Sequence, residues 1–248
     1  MPLKTILVED EPLSKAFLSN VLKEFFPEVE IIANEATVAG AVAAIAQLRP
    51  DLVFLDIELQ TGTGFEVLQQ TAAIPFKVIF TTALDHLAIN MIRICGVDYL
   101  QKPIDVTGLK EVLGLVLQRD PIQTRMALDH LMQALANHNR PTHLLLTTPE
   151  ENRYVAIADI ICIEALETRT RFLLKSGDSI SGTQSLRTYE ALLGDHLFFR
   201  THQHFLVNTG EIREQVQQPE CLLIMSDGTR LPLSPKKIEA LNRILDNA

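Results

Sequence analysis

The sequence has no excess of positive charge: its 248 residues hold 22 Lys plus Arg against 31 Asp plus Glu, a formal net charge of -9. That balance excludes a protein that coats nucleic acid or anionic membrane by bulk charge alone, while leaving room for a local basic surface. Cysteine is scarce. Cys95, Cys162 and Cys221 stand far apart with no Cys-x-x-Cys pair and an odd total, so the thiols read as buried and reduced rather than as a metal or redox centre. No uncharged run approaches the roughly 18 apolar residues needed to span a bilayer. The N-terminal MPLKTILVED also lacks the apolar core of a secretory signal, so no membrane insertion is expected and the chain is read as cytoplasmic. What is present suits folded domains: 47% apolar and 21% charged residues, with 11 Gly and 12 Pro scattered along the chain, exclude a disordered protein. The length fits two small domains or one large one at about 100 to 200 residues each.

Residues 4 to 10 (KTILVED) and 51 to 56 (DLVFLD) are apolar runs ending in acids. Their continuous rather than alternating apolar character marks buried parallel strands. Further runs lie at 77 to 82 and 97 to 100, with a weaker one at 29 to 33. Between them fall helical patterns. Residues 12 to 26 place Leu13, Phe17, Leu18, Val21, Leu22 and Phe25 at spacings of 3 and 4, residues 37 to 48 form an Ala-rich helix closed by Arg49-Pro50, and helices follow at about 64 to 71, 85 to 95 and 105 to 118. The alternation predicts a doubly wound α/β domain with a five-stranded parallel sheet over residues 1 to 120, its site at the carboxyl ends of the strands. Residues 121 to 142 read as a linker helix carrying Met126, Leu128, Leu131, Met132 and Leu135, a candidate for packing between protomers, followed by the polar stretch NHNRPTH. From His143 to the C-terminus a smaller, mostly β domain is expected, with strands at 143 to 148, 153 to 163, 170 to 174, 179 to 183 and 221 to 233. Helices are expected at about 185 to 194 and 235 to 246. Asp227-Gly228 between apolar runs signals a tight hairpin whose two central residues both take positive φ.

Glu9 and Asp10 end the first strand and Asp56 ends the third, which a doubly wound sheet places side by side. Three converging carboxylates make an oxygen-rich pocket suited to Mg²⁺. An Asp beside such an ion can act as a nucleophile toward a phosphoryl group while the metal neutralises the transferring oxygens. Thr82, ending the fourth strand, can donate a hydroxyl hydrogen bond. Lys102, after the fifth, can deliver a cation, and Pro103 invites a turn and is a candidate for a cis bond. Taken singly, an acidic run is usually a solvated loop and a Lys-Pro pair merely a turn.

Together, Glu9-Asp10, Asp56, Thr82-Ala83, Tyr99 and Lys102-Pro103, each at the end of a successive strand, resemble the phosphoacceptor receiver domain of two-component response regulators over residues 1 to about 120. The resemblance implies that Asp56 accepts phosphate from a sensor histidine kinase. It also implies that Glu9, Asp10 and Asp56 hold Mg²⁺ with the backbone carbonyl of Glu58. Thr82 and Lys102 would then sense the phosphoryl group, and Tyr99 would swing inward on activation. One departure is visible: Leu59-Gln60 stands where the family commonly has Met-Pro, so a different loop geometry is expected there. The rival aspartyl-phosphate chemistry, that of haloacid-dehalogenase-type phosphatases, needs Asp-x-Asp at the first strand end, whereas the run here is Glu9-Asp10-Glu11.

In the second half, Phe198-Phe199-Arg200-Thr201-His202-Gln203-His204-Phe205-Leu206-Val207-Asn208 gathers Arg, His and Gln, groups suited to base edges or phosphates. The stretch resembles the core of the LytTR-type DNA-binding domain, as do Ile161-Cys162-Ile163-Glu164-Ala165 and Gly228-Thr229-Arg230-Leu231-Pro232-Leu233-Ser234. This resemblance implies a mostly β fold that reads promoter DNA from loops. Carried over by motif, the contacts are Arg169, Thr170 and Arg171, then Arg200, His202 and Gln203, then Ser234, Lys236 and Lys237. His204 stands where Ser is usual, and Pro235 where a basic residue commonly follows the Ser. Asn208 and Phe205 read as structural. His202 and His204 also form a His-x-His pair without a convincing third ligand. Glu164-Ala165-Leu166 spells the signature tripeptide of cyclic-dinucleotide phosphodiesterases, but the tripeptide recurs at Glu190 and Glu239, as chance allows.

The expected protein is therefore not an enzyme but a DNA-binding response regulator, paired into a homodimer by phosphorylation and binding directly repeated sites. The family implies a pairing surface on the helix at 85 to 95, the strand at 97 to 100 and the helix at 105 to 118. The alternative is a phosphorylation-dependent module whose β domain docks a protein partner. Residues 119 to 248 hold 14 Lys plus Arg against 16 Asp plus Glu, so any DNA surface must concentrate its cations locally.

Overall fold

A computed structural model describes residues 2–83, 86–137, 140–194, 197–217 and 220–246, and only the backbone of 86–88 and 121. Residue 85, which opens the fourth expected helix, and residues 138–139 of the polar stretch lie outside the described residues. The chain divides into two compact units, 1–139 and 140–248.

The first unit runs β1 (Leu3–Val8), α1 (Pro12–Phe25), β2 (Val29–Glu35), α2 (Val38–Leu48), β3 (Leu52–Asp56), β4 (Glu58–Leu59), β5 (Gly62–Thr63), α3 (Gly64–Gln70), β6 (Lys77–Thr82), α4 (His86–Ile94), β7 (Asp98–Gln101), α5 (Val106–Gln118) and α6 (Pro121–Ala136). The parallel sheet has the order β2-β1-β3-β6-β7, as the continuous apolar runs predict. The strand order reverses at β1, so right-handed crossovers send α1 and α5 to one face and α2, α3 and α4 to the other. Leu18 and Leu22 of α1 accordingly join Leu109, Leu113 and Val116 of α5 over Leu7, Phe54 and Ile79. Local chemistry sets the helix ends. Thr37, Thr63, Asp105 and Asp120 each accept an N–H of the first turn with their side chains.

Two expected helices form, but each buries only part of its apolar pattern. The apolar stripe of α1 is wider than the face it buries: Leu18, Val21 and Leu22 are enclosed, but Leu13 is 79% exposed and Phe17 and Phe25 also face solvent. On α6 the enclosed positions are Thr124, Ala127, Leu131 and Ala134, with Met126 exposed. That helix lies beside α4, and its Arg125 guanidinium donates to the Ala72 carbonyl. Of the expected stripe only Leu131 is enclosed; Leu128, Met132 and Leu135 are half-buried, and Ile122 stands 68% exposed.

The second unit runs β8 (His143–Thr147), β9 (Asn152–Ala156), a 3₁₀ turn, β10 (Ile160–Ala165), β11 (Thr170–Leu174), β12 (Ser179–Gly182), α7 (Leu186–Leu193), β13 (Phe198–His202), β14 (Phe205–Asn208), β15 (Ile212–Val216), β16 (Leu222–Met225), β17 (Arg230–Pro232) and α8 (Ile238–Leu245). Its antiparallel sheets have the orders β12-β11-β10-β14-β13, β15-β16-β17 and β8-β9. Ile161, Cys162, Val207, Leu223, Met225 and Leu241 form a shared core. The expected strand at 153 to 163 is broken by the 3₁₀ turn Ile157–Asp159. The hairpin at Asp227-Gly228 forms, but only Gly228 has positive φ, at 86°. Met225 N–H reaches Thr229 O across three loop residues and Asp227 Oδ1 accepts Thr229 N–H, so one left-handed residue suffices. β13, β14 and β15 fall outside the expected strands; the IREQV of β15 buries too little apolar surface to signal one.

Candidate functional site: an acidic pocket and a basic cleft

The pocket is assembled at the carboxyl ends of β1, β3, β6 and β7. Apolar β1 and β3 are buried along the sheet and lie side by side, so the polar residues that follow them emerge together at its edge. Candidate ligand oxygens of Glu9, Asp10 and Asp56 all lie within 4.8 Å of one another, and among the described residues this is the one such cluster of three. Glu9 is 2% and Asp56 5% exposed. The Lys102 ammonium stands between them, 2.6 Å from Asp56 Oδ2 and 2.8 Å from Glu9 Oε2.

Backbone donors fix the remaining oxygens. Glu58 N–H donates to Asp56 Oδ1 at 3.2 Å, Glu11 N–H to Glu9 Oε1 at 3.1 Å and Gln60 N–H to Asp10 Oδ2 at 2.9 Å. The last bond gives the Leu59-Gln60 departure a physical content, since a proline at 60 has no N–H to give. Glu58 and Leu59 pair with Thr63 and Gly62 in a short hairpin that holds residue 58 next to the Asp56 carboxylate. Gly64 then packs so closely that a Cβ there would sit 2.3 Å from the Asp56 carbonyl oxygen, which excludes any side chain. Lys102–Pro103 is cis, and Lys102 N–H donates to Thr82 O at 2.7 Å, tying the ends of β6 and β7 together. Thr82 is fully buried at its strand end, and Tyr99 is half-buried on β7 opposite Phe80.

Burial pushes the Glu9 carboxyl above its ordinary pKa, and the neighbouring Asp56 charge adds to the rise against the opposing pull of Lys102. Burial alone would depress the Lys102 ammonium. Its bonds to Asp56 and Glu9 outweigh that, so its pKa is raised and it stays charged. The pocket therefore gathers three carboxylates around one cation. That hard-oxygen, charge-surplus donor set fits a divalent ion such as Mg²⁺. Alongside it, Leu13, Phe17, Pro103 and Ile104 line a cleft of about 510 Å³ that reaches Lys102.

The second unit holds a cleft of about 420 Å³ where the β13–β14 turn meets the segment after β17 and the start of α7. It brings together Arg200, His202, Gln203, Ser234, Lys236 and Lys237 from two of the three motif segments. Gln203, Lys236 and Lys237 are exposed, and the Lys237 ammonium rests 5.5 Å from the centre of the Phe199 ring. The third segment does not line this cleft. Its Arg169 is exposed, and Arg171 is paired with Glu164 on the adjacent strand.

Thr170 is corrected: it is 0% exposed, and its hydroxyl donates to Gly182 O and Gln184 O, which removes its side chain from any DNA surface. Asn208 bridges inside the fold, donating to Ile160 O and accepting from Gly210 N–H. The His202 and His204 rings lie 5.5 Å apart, with His204 N–H donating to His202 Nδ1. Two cleft residues escaped the sequence reading, Arg187 and Glu190 of α7. Only the folded chain brings them beside a turn more than ten positions away, and no motif marks them.

A five-stranded parallel α/β unit with an acidic pocket at its strand ends, followed by a β unit with a basic cleft, defines a receiver joined to an output domain. Residues 5–114 match the response regulator receiver domain and residues 150–246 the LytTr DNA-binding domain. The sensory transduction protein LytT of Bacillus subtilis is 30% identical, across 98% of this chain and 99% of that protein. The transcriptional regulatory protein BtsR of Salmonella typhi is 27% identical, with coverage of 98% and 99%. Among solved structures, a DNA-binding response regulator of the LuxR family from Staphylococcus aureus aligns with 46% of this chain and 98% of its own, at 26% identity and a TM-score of 0.41. The chain belongs to the LytTR-type response regulators: it is a DNA-binding regulator built from a receiver and a LytTR domain.

Proposed function

We propose that the chain takes a phosphoryl group from a sensor histidine kinase onto Asp56 and thereby controls its binding to promoter DNA. The observation that carries this reading is the buried Asp56 carboxylate with Lys102 at 2.6 Å and two further carboxylates in reach of one ion. In the transfer an Asp56 oxygen bonds to phosphorus while the donor's P–N bond breaks. Glu58 N–H and Lys102, which hold the two Asp56 oxygens, orient the carboxylate for in-line attack. Glu9, Asp10 and Asp56, with the Glu58 carbonyl, would hold Mg²⁺, which when bound neutralises charge on the transferring oxygens. Exposed Leu13 and Phe17 give a kinase an apolar surface beside the nucleophile. Thr82, Tyr99 and Lys102 are the switch residues, since Thr82 and Lys102 end the strands on which the Tyr99 side of the sheet rests.

In this reading residues 1–120 accept the signal, 121–142 connect and 143–248 bind DNA, all in the cytoplasm where kinase and promoter meet. Arg169, Arg171, His202, Gln203, Ser234, Lys236 and Lys237 face the duplex. Pairing of two phosphorylated protomers on direct repeats makes the second contact intramolecular and raises occupancy without any new contact.

The test is a gel-shift titration of the chain, with and without a small acyl phosphate and Mg²⁺, across a salt series. Phosphorylation should tighten binding, and log K should fall linearly with log salt as phosphate contacts release counterions. Complete absence of DNA binding by the phosphorylated chain would leave the docking of a protein partner as the output.

A further inference from the structure

The cations around the cleft differ in whether the fold has already used them. Arg200, which the motif places among the DNA contacts, is only about one-fifth exposed. Its Nε donates to His202 O at 2.8 Å, its Nη2 to Gln203 O at 2.5 Å and its Nη1 to Glu190 Oε2 at 2.8 Å. The planar fork thus binds the two carbonyls that define the β13–β14 turn, while Glu190 on α7 neutralises its charge. A guanidinium held at three points in this way has little left to offer a phosphate. It is well built to hold a peptide turn in one shape.

Arg187, one turn before Glu190 on the same helix, is the opposite case. It is exposed and lines the same cleft, and its side chain has no hydrogen bond or ion pair among the described residues. It also stands in the first turn of α7, where the helix dipole disfavours a cation. The fold therefore gains nothing from it there. With Lys236 and Lys237 on the other wall, it completes an uncompensated positive rim around the turn that Arg200 fixes.

We propose that the two arginines divide the work: Arg200 is a positioning residue that sets the His202–Gln203 turn, and Arg187 supplies a contact to a backbone phosphate of the duplex. The inference rests on the DNA-binding reading above and deepens it. A phosphate contact and a positioning role leave different marks, because phosphate contacts set the salt slope and base contacts set discrimination.

The experiment uses the full phosphorylated chain and a duplex recovered by it from a randomised double-stranded pool, with a set of single-base variants of that duplex. Arg187→Ala should lower the log K against log salt slope by about 0.9 and keep the ranking of the variant duplexes. Arg200→Ala should keep the slope and flatten the ranking, and Arg200→Ala combined with Gln203→Ala should lose no more discrimination than Arg200→Ala alone. Arg200→Lys should not rescue it, since an ammonium cannot span both carbonyls and Glu190. Glu190→Gln, which leaves both turn carbonyls bonded but removes the charge that neutralises Arg200, should flatten the ranking in part without lowering the slope. That variant decides the matter if Arg200→Ala fails to fold. A slope reduced by about 0.9 in Arg200→Ala with discrimination intact overturns the positioning role. An unchanged slope in Arg187→Ala overturns the phosphate contact. No bound duplex for the unaltered chain would sink the DNA reading itself, an outcome separate from both.

Discussion

The acidic pocket of the first unit and the basic cleft of the second treat charge in opposite ways. In the pocket, Glu9 and Asp56 are withdrawn from water and each is bonded to Lys102 within 3 Å. Their energetics are governed by desolvation and by which ion replaces water, and bulk salt screens them little. In the cleft, Arg187, Lys236 and Lys237 stand in solvent around a turn that the fold has made rigid. Their charge is exposed to water and screened by salt. The first unit should therefore respond to pH and divalent ions, and the second to ionic strength.

The largest expected effect tests the pocket. Asp56→Asn should abolish phosphotransfer from a small acyl phosphate with Mg²⁺, read as loss of the mass increment on the intact chain. A variant that still labels at the original rate would place the nucleophile elsewhere. The next prediction asks whether buried charge makes this unit pH-sensitive away from the pocket. Asp98 on β7 is paired with Arg119 at 2.7 Å, yet burial pushes its pKa up from 3.8 to about 6, with Arg119 and Lys77 only partly opposing the rise.

A carboxyl with a raised folded-state pKa binds protons that the unfolded chain has already released. Asp98 should therefore reduce stability as pH rises from about 4 to about 6, by about 3 kcal/mol, and contribute no slope above that. Denaturant unfolding of the full chain against Asp98→Asn measures this. Identical pH slopes in the two proteins would show that the Arg119 pair keeps Asp98 ionised throughout.

Legibility in the sequence follows the same division. Strands buried on both faces must be continuously apolar, so β1, β3 and β6 announce themselves, and polar residues at their ends can hardly lie anywhere but at the sheet edge. Glu9, Asp10, Asp56 and Lys102 were readable for that reason. Antiparallel strands with one wet face signal more weakly: β13, β14 and β15 fall outside the expected strands, and the 3₁₀ turn at 157–159 reads as strand. The cleft was half legible. Its turn and the 234–237 segment sit in contiguous motifs. Whether a cation there is free or already bonded depends on contacts such as Arg200 with Glu190, which join separate elements and leave no mark in local sequence. The exposure of Leu13 was unreadable likewise, because periodicity shows that a face is apolar and not what covers it.

Gln203 sharpens the comparison on the side of the cleft. It is exposed at the tip of the turn, so Gln203→Ala should cost about 1 to 3 kcal/mol against the preferred duplex and relax base preference. Single-base duplex variants measured at one salt concentration decide this. Unchanged affinity across them would remove Gln203 from the reading set and leave the turn a phosphate clamp alone.

The smallest expected effect concerns Thr170, the motif residue that the fold has turned inward. Its hydroxyl satisfies Gly182 O and Gln184 O, and Gly182 leaves no room beside it, since a Cβ there would stand 2.8 Å from Thr170 Oγ1. Thr170→Val keeps the volume and removes the donor, so the chain should lose about 1 to 2 kcal/mol of stability from carbonyls left short of a partner. Its DNA affinity and its ranking of duplexes should stay where they were. The two readouts separate a residue that supports the loop from one that touches the duplex. If DNA affinity instead fell at unchanged stability and unchanged salt slope, the segment would have to open on binding and turn Thr170 outward, since a neutral hydroxyl bonds a phosphate without releasing a counterion. Rigid positioning of the reading elements would then hold for the Arg200 turn and fail for its neighbour.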